Sequence, residues 1–426
     1  MEKINTLPLL IILIWCGSAA NARQTGDDDA LATPETPLTL TLAECIAAAE
    51  ANNLTLAEGR IAVERARDLQ STAFDLEPTT IALSQDPTSG GGPDNALSIS
   101  QTFEMPNVYA ARRKALRAQT DVERGRLELS RAEMRLNVTQ AYCTLVYQME
   151  RYRIIARQDS ILRRFCDIAR ARLAAGETGR LEQINVDRLA AQNSLNRQAA
   201  EHDCAMAQRV LMLWMNSDTP VVPAQPSLTA AEIAPDVAFS PATTAQYQLS
   251  TLELSAAERN LKVTRQGLWP SLSLSASTQL VLSGFNPYGV DRSRYSEGDF
   301  MGFEIGLNIP LAFGAQKARV KAAKKQVAIA AISRERELKK LQYGYEAALS
   351  AYMKARNTLD YYEKGALAEA DEMEHISIVA YENGAIDYVE LLQNTQTVQE
   401  IRLEYAAAVD ECNRAAAELR FYCGEP

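Results

Sequence analysis

Two long stretches of the chain space their apolar residues as a long amphipathic helix does. Within residues 127–152 and again within residues 320–362, apolar side chains recur at steps of three, four and seven, which places them on one helical stripe. Residues 107–219 and 311–425 contain no proline that would interrupt such a helix. The first helix is predicted to run over residues 107–176, which at 1.5 Å per residue is on the order of 100 Å.

Each predicted helix ends at a turn that contains glycine. The sequences RLAAGETGRLEQIN and AYENGAIDYVELLQ surround Gly176 and Gly384, and aligning these glycines brings Leu181 onto Val389. A return helix of about 40 residues is predicted after each turn, because the apolar spacing resumes there. Each half of the chain is therefore predicted to form a long helical hairpin.

The hairpin pattern belongs to a larger duplication. The segment SQTFEMPNVYAARRKAL recurs as GLNIPLAFGAQKARV, and LEP recurs as LWP. We predict a first repeat over residues 38–216 with its tip at 176–179, a proline-rich linker over 217–242, and a second repeat over 243–424 with its tip at 383–387. Prolines mark the predicted strand–helix joints at Pro78, Pro106, Pro270 and Pro310.

Ahead of each hairpin the apolar period changes from helical to two. Strands are predicted at about 271–283 and 300–311 in the second repeat, and at about 79–86 and 95–105 in the first. Strands of about ten residues have the length of a membrane β-strand, and a soluble amphipathic sheet is the alternative. Four strands cannot close a membrane barrel, since known ones have eight or more, so several chains would have to share one.

The N-terminus has the features of a secretory signal peptide over residues 1–22. Lys3 supplies the positive region, LPLLIILIWCG the apolar region, and SAANA a cleavage site that ends at Ala22. Residues 23–37 are predicted to be a disordered segment. The alternatives are a retained anchor, which the short apolar run disfavours, and a lipoprotein at Cys16, which the bulky Trp15 before it disfavours.

Composition and charge narrow the class of protein. The net charge of -10 makes nucleic acid an unexpected partner. Of the seven cysteines, the six after Cys16 are predicted to be small buried side chains. A disulfide framework is the alternative, but Cys412 and Cys423 would lie about 16 Å apart on one helix, too far for a bridge.

Candidate chemistry is scarce. The chain has two histidines, and a cation site is conceivable only where Asp371 and His375 share a helical face or near Glu201–Cys204; ordinary surface chemistry is the alternative. No nucleophile, base and orienting group can be combined into a catalytic set, and no phosphate-binding loop is present. We therefore predict a protein that is not an enzyme and that has no metal centre and no cofactor.

Taken together, these segments resemble the TolC-like outer membrane efflux proteins of Gram-negative bacteria. The matching features are LTLAECIAAAEANN, the paired strand–proline–helix segments, and the paired tips GETGRLEQI and YENGAIDYVELL. The resemblance covers residues 38–424. It implies a mainly α fold of duplicated long helical hairpins, with four strands per chain contributing to a shared trimeric β-barrel in outer membrane lipid. It also implies a homotrimer with a periplasmic tunnel, working with a periplasmic adaptor protein and an inner membrane efflux transporter.

Under this resemblance the hairpin tips become the candidate site. Glu382, Asp387 and Glu390 are predicted to form a periplasmic gate that selects for cations, because rings of carboxylates favour cations at a constriction; the alternative is that Asp387 caps the following helix. The residues predicted to dock the adaptor are Gly176, Thr178, Gly179, Leu181, Gly384, Ala385, Ile386, Tyr388 and Val389.

The resemblance implies export of small molecules or metal cations. The alternatives are the outer membrane channel of a type I protein secretion system and a structural coiled-coil surface protein. The second would need neither period-two strands nor doubled strand–helix joints. The sequence does not indicate whether the cargo is a metal ion, a drug or a protein.

Overall fold

The computed structural model describes residues 37–85, 95–176, 179–224, 229–233, 239–280, 301–311, 313–383 and 385–424. The predicted signal peptide and residues 23–36 lie outside this part. Within these ranges, no helix combines the length and the apolar character that crossing a membrane requires.

The two repeats share one plan, in which helix precedes two strands, a long helix and a return helix. The first contains β1 (Leu38–Leu40), α1 (Leu42–Asn52), α2 (Leu54–Asp68), β2 (Thr80–Gln85), β3 (Asn95–Phe103), α3 (Pro106–Ala174) and α4 (Arg180–Met215). The predicted linker contains β4 (Val221–Pro223), and the second repeat contains α5 (Ala245–Gln266), β5 (Ser271–Leu280), β6 (Met301–Asn308), α6 (Phe313–Tyr361), a π-helical turn (Tyr362–Ala366), α7 (Leu367–Glu382) and α8 (Tyr388–Cys423). Short 3-10 turns occur at Leu69–Phe74 and Pro241–Thr243.

The long helices follow the prediction closely. α3 has 69 residues, and its counterpart is α6, the π-helical turn and α7 in succession. The return helices α4 and α8 have 36 residues each. With Gly176 aligned on Gly384, the first residues of α4 and α8 coincide, and so do their last residues, as expected for a duplication.

One antiparallel sheet joins the two repeats. Its strand order is β2-β3-β5-β6, so the central pair consists of one strand from each repeat. The pairing of β3 with β5 extends from Asn95 opposite Leu280 to Phe103 opposite Leu272. The described strands lie within the predicted ranges, with β2 and β5 beginning after joint prolines and β3 and β6 ending before them. The prolines have no N–H to donate to a ladder.

Apolar residues from helices far apart in sequence form the interior of each hairpin. In the first repeat the core lies among α1, α3 and α4 and includes Val138, Leu145, Leu211 and Met215, all nearly inaccessible to solvent. In the second it lies between α6 and α8 and includes Ala355, Leu359, Val409 and Cys412. The six cysteines in the described part of the chain are free, and four of them are buried.

The linker between the repeats is attached to the second hairpin by side chains that bond its backbone. Asn413 of α8 accepts from the amide of Ala231 at 2.7 Å and donates to the carbonyl oxygen of Thr229 at 2.9 Å. The hydroxyl of Tyr352 on α6 accepts from the amide of Ile233 at 3.1 Å. These bonds satisfy backbone groups that would otherwise lack a strand partner.

Close packing of α6 on α8 explains a glycine in the middle of a long helix. A Cβ at Gly344 would collide with the ring of Tyr422, whereas a Cβ at Gly314, near the start of α6, would meet nothing within 4 Å. Gly344 is therefore a contact position between helices. Gly314 has no such contact, and it only lowers the stability of the helix, as glycine does in general.

We expect Gly344→Ala to destabilise the protein by about 1–3 kcal/mol, because overpacking displaces the Tyr422 ring. Gly314→Ala is the matched control and should be neutral or stabilising by up to about 1 kcal/mol. Thermal unfolding of the detergent-solubilised variants measures both. Equal melting temperatures for the two variants would contradict the packing explanation.

Candidate functional site

The first hairpin turns at Gly176. α3 ends at Ala174, and Gly176 adopts φ +74, a left-handed conformation that favours glycine. Nothing lies within 4 Å of the position its Cβ would occupy, so backbone conformation, and not space, accounts for the residue. Gly179 then begins α4 from an extended conformation without a side-chain cap. Thr178, one of the predicted docking residues, lies outside the described residues.

The second hairpin turns between α7 and α8. The amide of Ala385 donates to the carbonyl oxygen of Ala380 at 2.8 Å, and the side-chain amide of Asn383 donates to that of Val379, also at 2.8 Å. These bonds satisfy carbonyl groups left open at the end of α7. Gly384 lies outside the described residues, as does the side chain of Glu382.

Asp387 caps α8. Its backbone is extended, and its carboxylate accepts from the amide of Glu390 at 2.9 Å. The aligned position in the first repeat is Gly179, which has no carboxylate to offer. The structure therefore supports the capping role that the sequence left as an alternative. The predicted part of Asp387 in a gate stays a prediction.

The structure brings two of the three predicted gate acids into one helical turn. Asp387 and Glu390 are both exposed at the start of α8, while Glu382 is the last residue of α7 on the other side of the turn. Acids in the first turn also interact favourably with the helix dipole.

The predicted docking residues divide into exposed and packed side chains. Leu181 and Val389, which occupy aligned positions, are 69% and 43% exposed. Ala385 is exposed and Ile386 is half-buried. Tyr388 packs against the cluster of Leu162, Cys166, Ala169, Val186 and Leu392, which fills the space between the two hairpins near the tips.

A cation–π pair, which the sequence reasoning missed, joins the two hairpins beside the tips. The guanidinium of Arg172 on α3 lies 4.9 Å from the ring centroid of Tyr381 on α7. Burial raises the pKa of Tyr381, and the charge of nearby Glu182 acts in the same direction, while Arg172 opposes it. Glu182 is itself buried, although it aligns with the exposed Glu390. No local pattern could have paired residues some two hundred positions apart.

A group of ion pairs joins the hairpins farther from the tips. Arg402 of α8 bonds Asp371 at 2.6 Å and Glu374 at 2.7 Å, and Arg157 of α3 reaches Glu374 at 3.2 Å. The hydrogen bond from Arg402 lowers the pKa of Glu374. Because Asp371 is engaged by Arg402, it is not held for a cation site with His375. The described residues contain no group of three or more His, Cys, Asp or Glu side chains that could hold a metal ion.

The predicted joint prolines lie where helical and extended backbone meet. Pro106 is the first residue of α3, a position where its missing N–H is not needed. Pro310 follows β6 and precedes α6, and Pro270 immediately precedes β5. Pro78 precedes β2 by one residue.

The second half of the chain matches a known family model. Residues 226–425 match the model described as outer membrane efflux protein. Among curated proteins, none matches this chain.

Several solved structures share the fold. CusC, described in connection with folding and transmembrane channel formation, is 15% identical with a TM-score of 0.73, over 92% of this chain and 94% of CusC. The Campylobacter jejuni CmeC outer membrane channel is 16% identical with a TM-score of 0.72, over 90% of this chain and 85% of CmeC. The open Neisseria gonorrhoeae MtrE outer membrane channel is 16% identical with a TM-score of 0.71, over 90% of this chain and 89% of MtrE.

These comparisons confirm the resemblance seen in the sequence. The chain has the fold of TolC-like outer membrane channels, with duplicated helical hairpins and a small antiparallel sheet. The likeness extends over nearly the whole described chain, including the first repeat, which the family model does not match.

We expect Asp387→Ala to destabilise the start of α8 by about 1 kcal/mol, because it removes the cap, and Asp387→Asn to preserve it. Hydrogen exchange of the amides at residues 388–391 should be faster in the alanine variant only. Glu390→Gln is the control, since it leaves the backbone donor of the cap in place. Equal exchange in the alanine and asparagine variants would show that the observed hydrogen bond does not hold the turn.

Proposed function

We propose that this chain is the outer membrane channel of a tripartite efflux system and exports small molecules or metal cations. The observation that carries the proposal is the four-stranded sheet. One face of this sheet is mainly apolar, apart from residues such as Gln101 and Thr278, and no described helix covers it. Its outer strands β2 and β6 each have one side without a described partner. A trimer in the outer membrane would account for both features.

The apolar face has the character of a lipid-facing surface. Phe303 and Ile305 are 77% and 75% exposed, and Ile81 on the opposite outer strand is 68% exposed. Large apolar side chains left in water lose roughly 25 cal/mol for each Å² that could have been buried. Acyl chains would cover this face. The exposed large apolar residues of the four strands are Ile81, Leu83, Ile99, Leu274, Met301, Phe303, Ile305 and Leu307.

The unpaired strand edges call for further copies of the chain. Lipid offers no hydrogen-bonding groups, so every backbone donor and acceptor of a membrane strand must be paired within protein. Pairing β6 of one copy with β2 of the next would repeat around an axis, and three copies would give twelve strands, an even number within the range of known barrels. Closure would remove both edges.

The helices, like the strands, form a row whose two outer sides a neighbouring copy could cover. α4 packs on α3, α3 on α8, and α8 on α6, so α4 and α6 lie at the two ends of this row. Each carries exposed large apolar side chains that a neighbouring copy could bury. They are Leu195, Met206 and Leu213 on α4, and Ile332, Tyr343 and Tyr361 on α6.

The tips are suited to contact a periplasmic adaptor. α3 connects the sheet to the first tip through 69 residues, or about 100 Å at 1.5 Å per residue. With the sheet in the outer membrane, the tips would project deep into the periplasm, toward an inner membrane transporter. The exposed apolar Leu181 and Val389 are the side chains that such an adaptor would cover.

We expect Ile305→Arg to block membrane insertion, because a charge on the lipid face costs about 2–4 kcal/mol per chain near the midplane of the bilayer. Ser275→Arg, on the opposite face of the paired strand, is the matched control and should still insert. Outer membrane fractionation and heat-sensitive trimer bands on gels measure the outcome. Wild-type protein recovered as a soluble periplasmic monomer would refute the proposed function.

We expect Leu181→Asp combined with Val389→Asp to abolish efflux while trimers still reach the outer membrane. The substitutions place charges on apolar surface that the adaptor would desolvate, and the tips are far from the sheet. Susceptibility of the native host to a panel of drugs, dyes and metal ions, together with trimer abundance, gives the result. The control replaces both residues with isoleucine and should retain efflux. Loss of the trimer itself would assign these residues a structural role.

A further inference from the structure

The register of the sheet sorts every strand residue onto one of two faces. Residues opposite each other on paired strands share a face, and neighbours along a strand alternate. Phe303 is opposite Ala276, and Ile305 is opposite Leu274, on the apolar face. Glu304 between them is opposite Ser275 and therefore lies on the other face, which the proposed function makes the wall of the channel.

This second face consists almost entirely of small side chains. Serine occupies four alternate positions of β5, and apart from Glu304 opposite Ser275, their partners on β3 and β6 are serine, threonine, glycine and asparagine. The register places on this face Thr80, Ala82, Ser84, Ala96, Ser98, Ser100, Thr102, Ser271, Ser273, Ser275, Ser277, Gln279, Gly302, Glu304, Gly306 and Asn308.

The glycines of β6 are fitted to the serines of β5. A Cβ at Gly302 would lie 3.0 Å from the hydroxyl oxygen of Ser277, and a Cβ at Gly306 would collide with that of Ser273. Side chains larger than glycine at these positions would have to displace the neighbouring serines. The side chains on both sides of Glu304 therefore project little from the sheet. The Glu304 carboxylate extends farther from the sheet than its neighbours do.

Among the described residues of the four strands, Glu304 is the only ionisable one. It is exposed and forms no ion pair with a described residue. Every other position on its face is neutral, and most bear hydroxyl groups or no polar group. Nothing else in these strands could give the wall a net charge.

We infer that Glu304 determines the charge selectivity of the part of the channel that the described strands line, and that the rest of this part of the wall is a neutral, largely hydroxyl-lined surface. This inference rests on the proposed trimeric channel. It describes the cargo that the pore admits most readily, namely neutral or cationic solutes, and it disfavours small polyanions.

The size of the effect follows from the geometry of a twelve-stranded barrel. Strands about 4.8 Å apart and tilted by about 40° give a radius of about 12 Å. Three carboxylates at about that distance from the axis would enrich monovalent cations on the axis about threefold at 0.01 M salt, and less than twofold at 0.15 M. Selectivity should therefore be clear at low salt and weak at physiological salt.

Planar bilayer recordings of purified trimers test the inference. With potassium chloride gradients near 0.01 M, wild-type channels should prefer cations, Glu304→Gln should lose much of that preference, and Glu304→Lys should shift the reversal potential toward anion preference. Ser275→Glu in the Glu304→Gln background should restore cation preference, because Ser275 is the register partner on the same face. A structural role of Glu304 would not be rescued in this way.

The tips provide the comparison that separates the possible results. Asp387→Asn keeps the cap but removes charge at the opposite end of the helices. If selectivity is unchanged in Glu304→Gln and lost in Asp387→Asn, the inference is overturned while the channel proposal stands. If wild-type trimers conduct no ions, the proposed function fails, and the inference fails with it.

Discussion

A hairpin that pairs a helix of about 100 Å with a return helix of about 54 Å can bury only the stripe where the two helices touch. Neighbours must therefore cover the remaining apolar surface, and most of the architecture follows from this requirement. The second repeat supplies one neighbour, since α3 contacts both α5 and α8. The pairing of β3 with β5 fixes the two repeats in register at one end. The outer sides of α4 and α6 have apolar surface that further copies of the chain would have to cover. Duplication and assembly therefore both serve to bury apolar helix surface.

Much of this could be predicted from the sequence because it is encoded locally. Apolar residues at regular helical spacing predict a helix, and a proline predicts the boundary between helix and strand. Gly176 predicts a turn with a left-handed residue. The contacts between hairpins could not be predicted in the same way. Arg172 and Tyr381 meet only because two long helices lie side by side in a particular register, as Arg157 and Glu374 do. A one-residue change of register would separate such pairs while leaving every local pattern intact.

The two repeats have diverged where their surroundings differ. α4 lies at the end of the helical row, whereas α8 lies between α3 and α6. Glu182 is nevertheless the buried member of its aligned pair, because it faces Tyr381 of the neighbouring hairpin, while Glu390 faces away from the described chain. Capping differs too, since Gly179 relies on backbone alone and Asp387 adds a charge-assisted bond. A sequence alignment presents these positions as equivalent, and only their neighbours show that their chemistry differs.

The sheet gives the strongest argument about environment because neither of its faces is covered by a described helix. An alternating strand in a soluble antiparallel sheet normally packs its apolar face on a core. Here Phe303 and Ile305 are more than two-thirds exposed. On the polar face of the same strand, Gly302 and Gly306 have no side chains to project from the sheet. A sheet with one exposed apolar face and one exposed polar face is stable only if the two faces contact different environments. Lipid on one side and water on the other satisfy that need, and the soluble-sheet alternative left open by the sequence offers no cover for the apolar face.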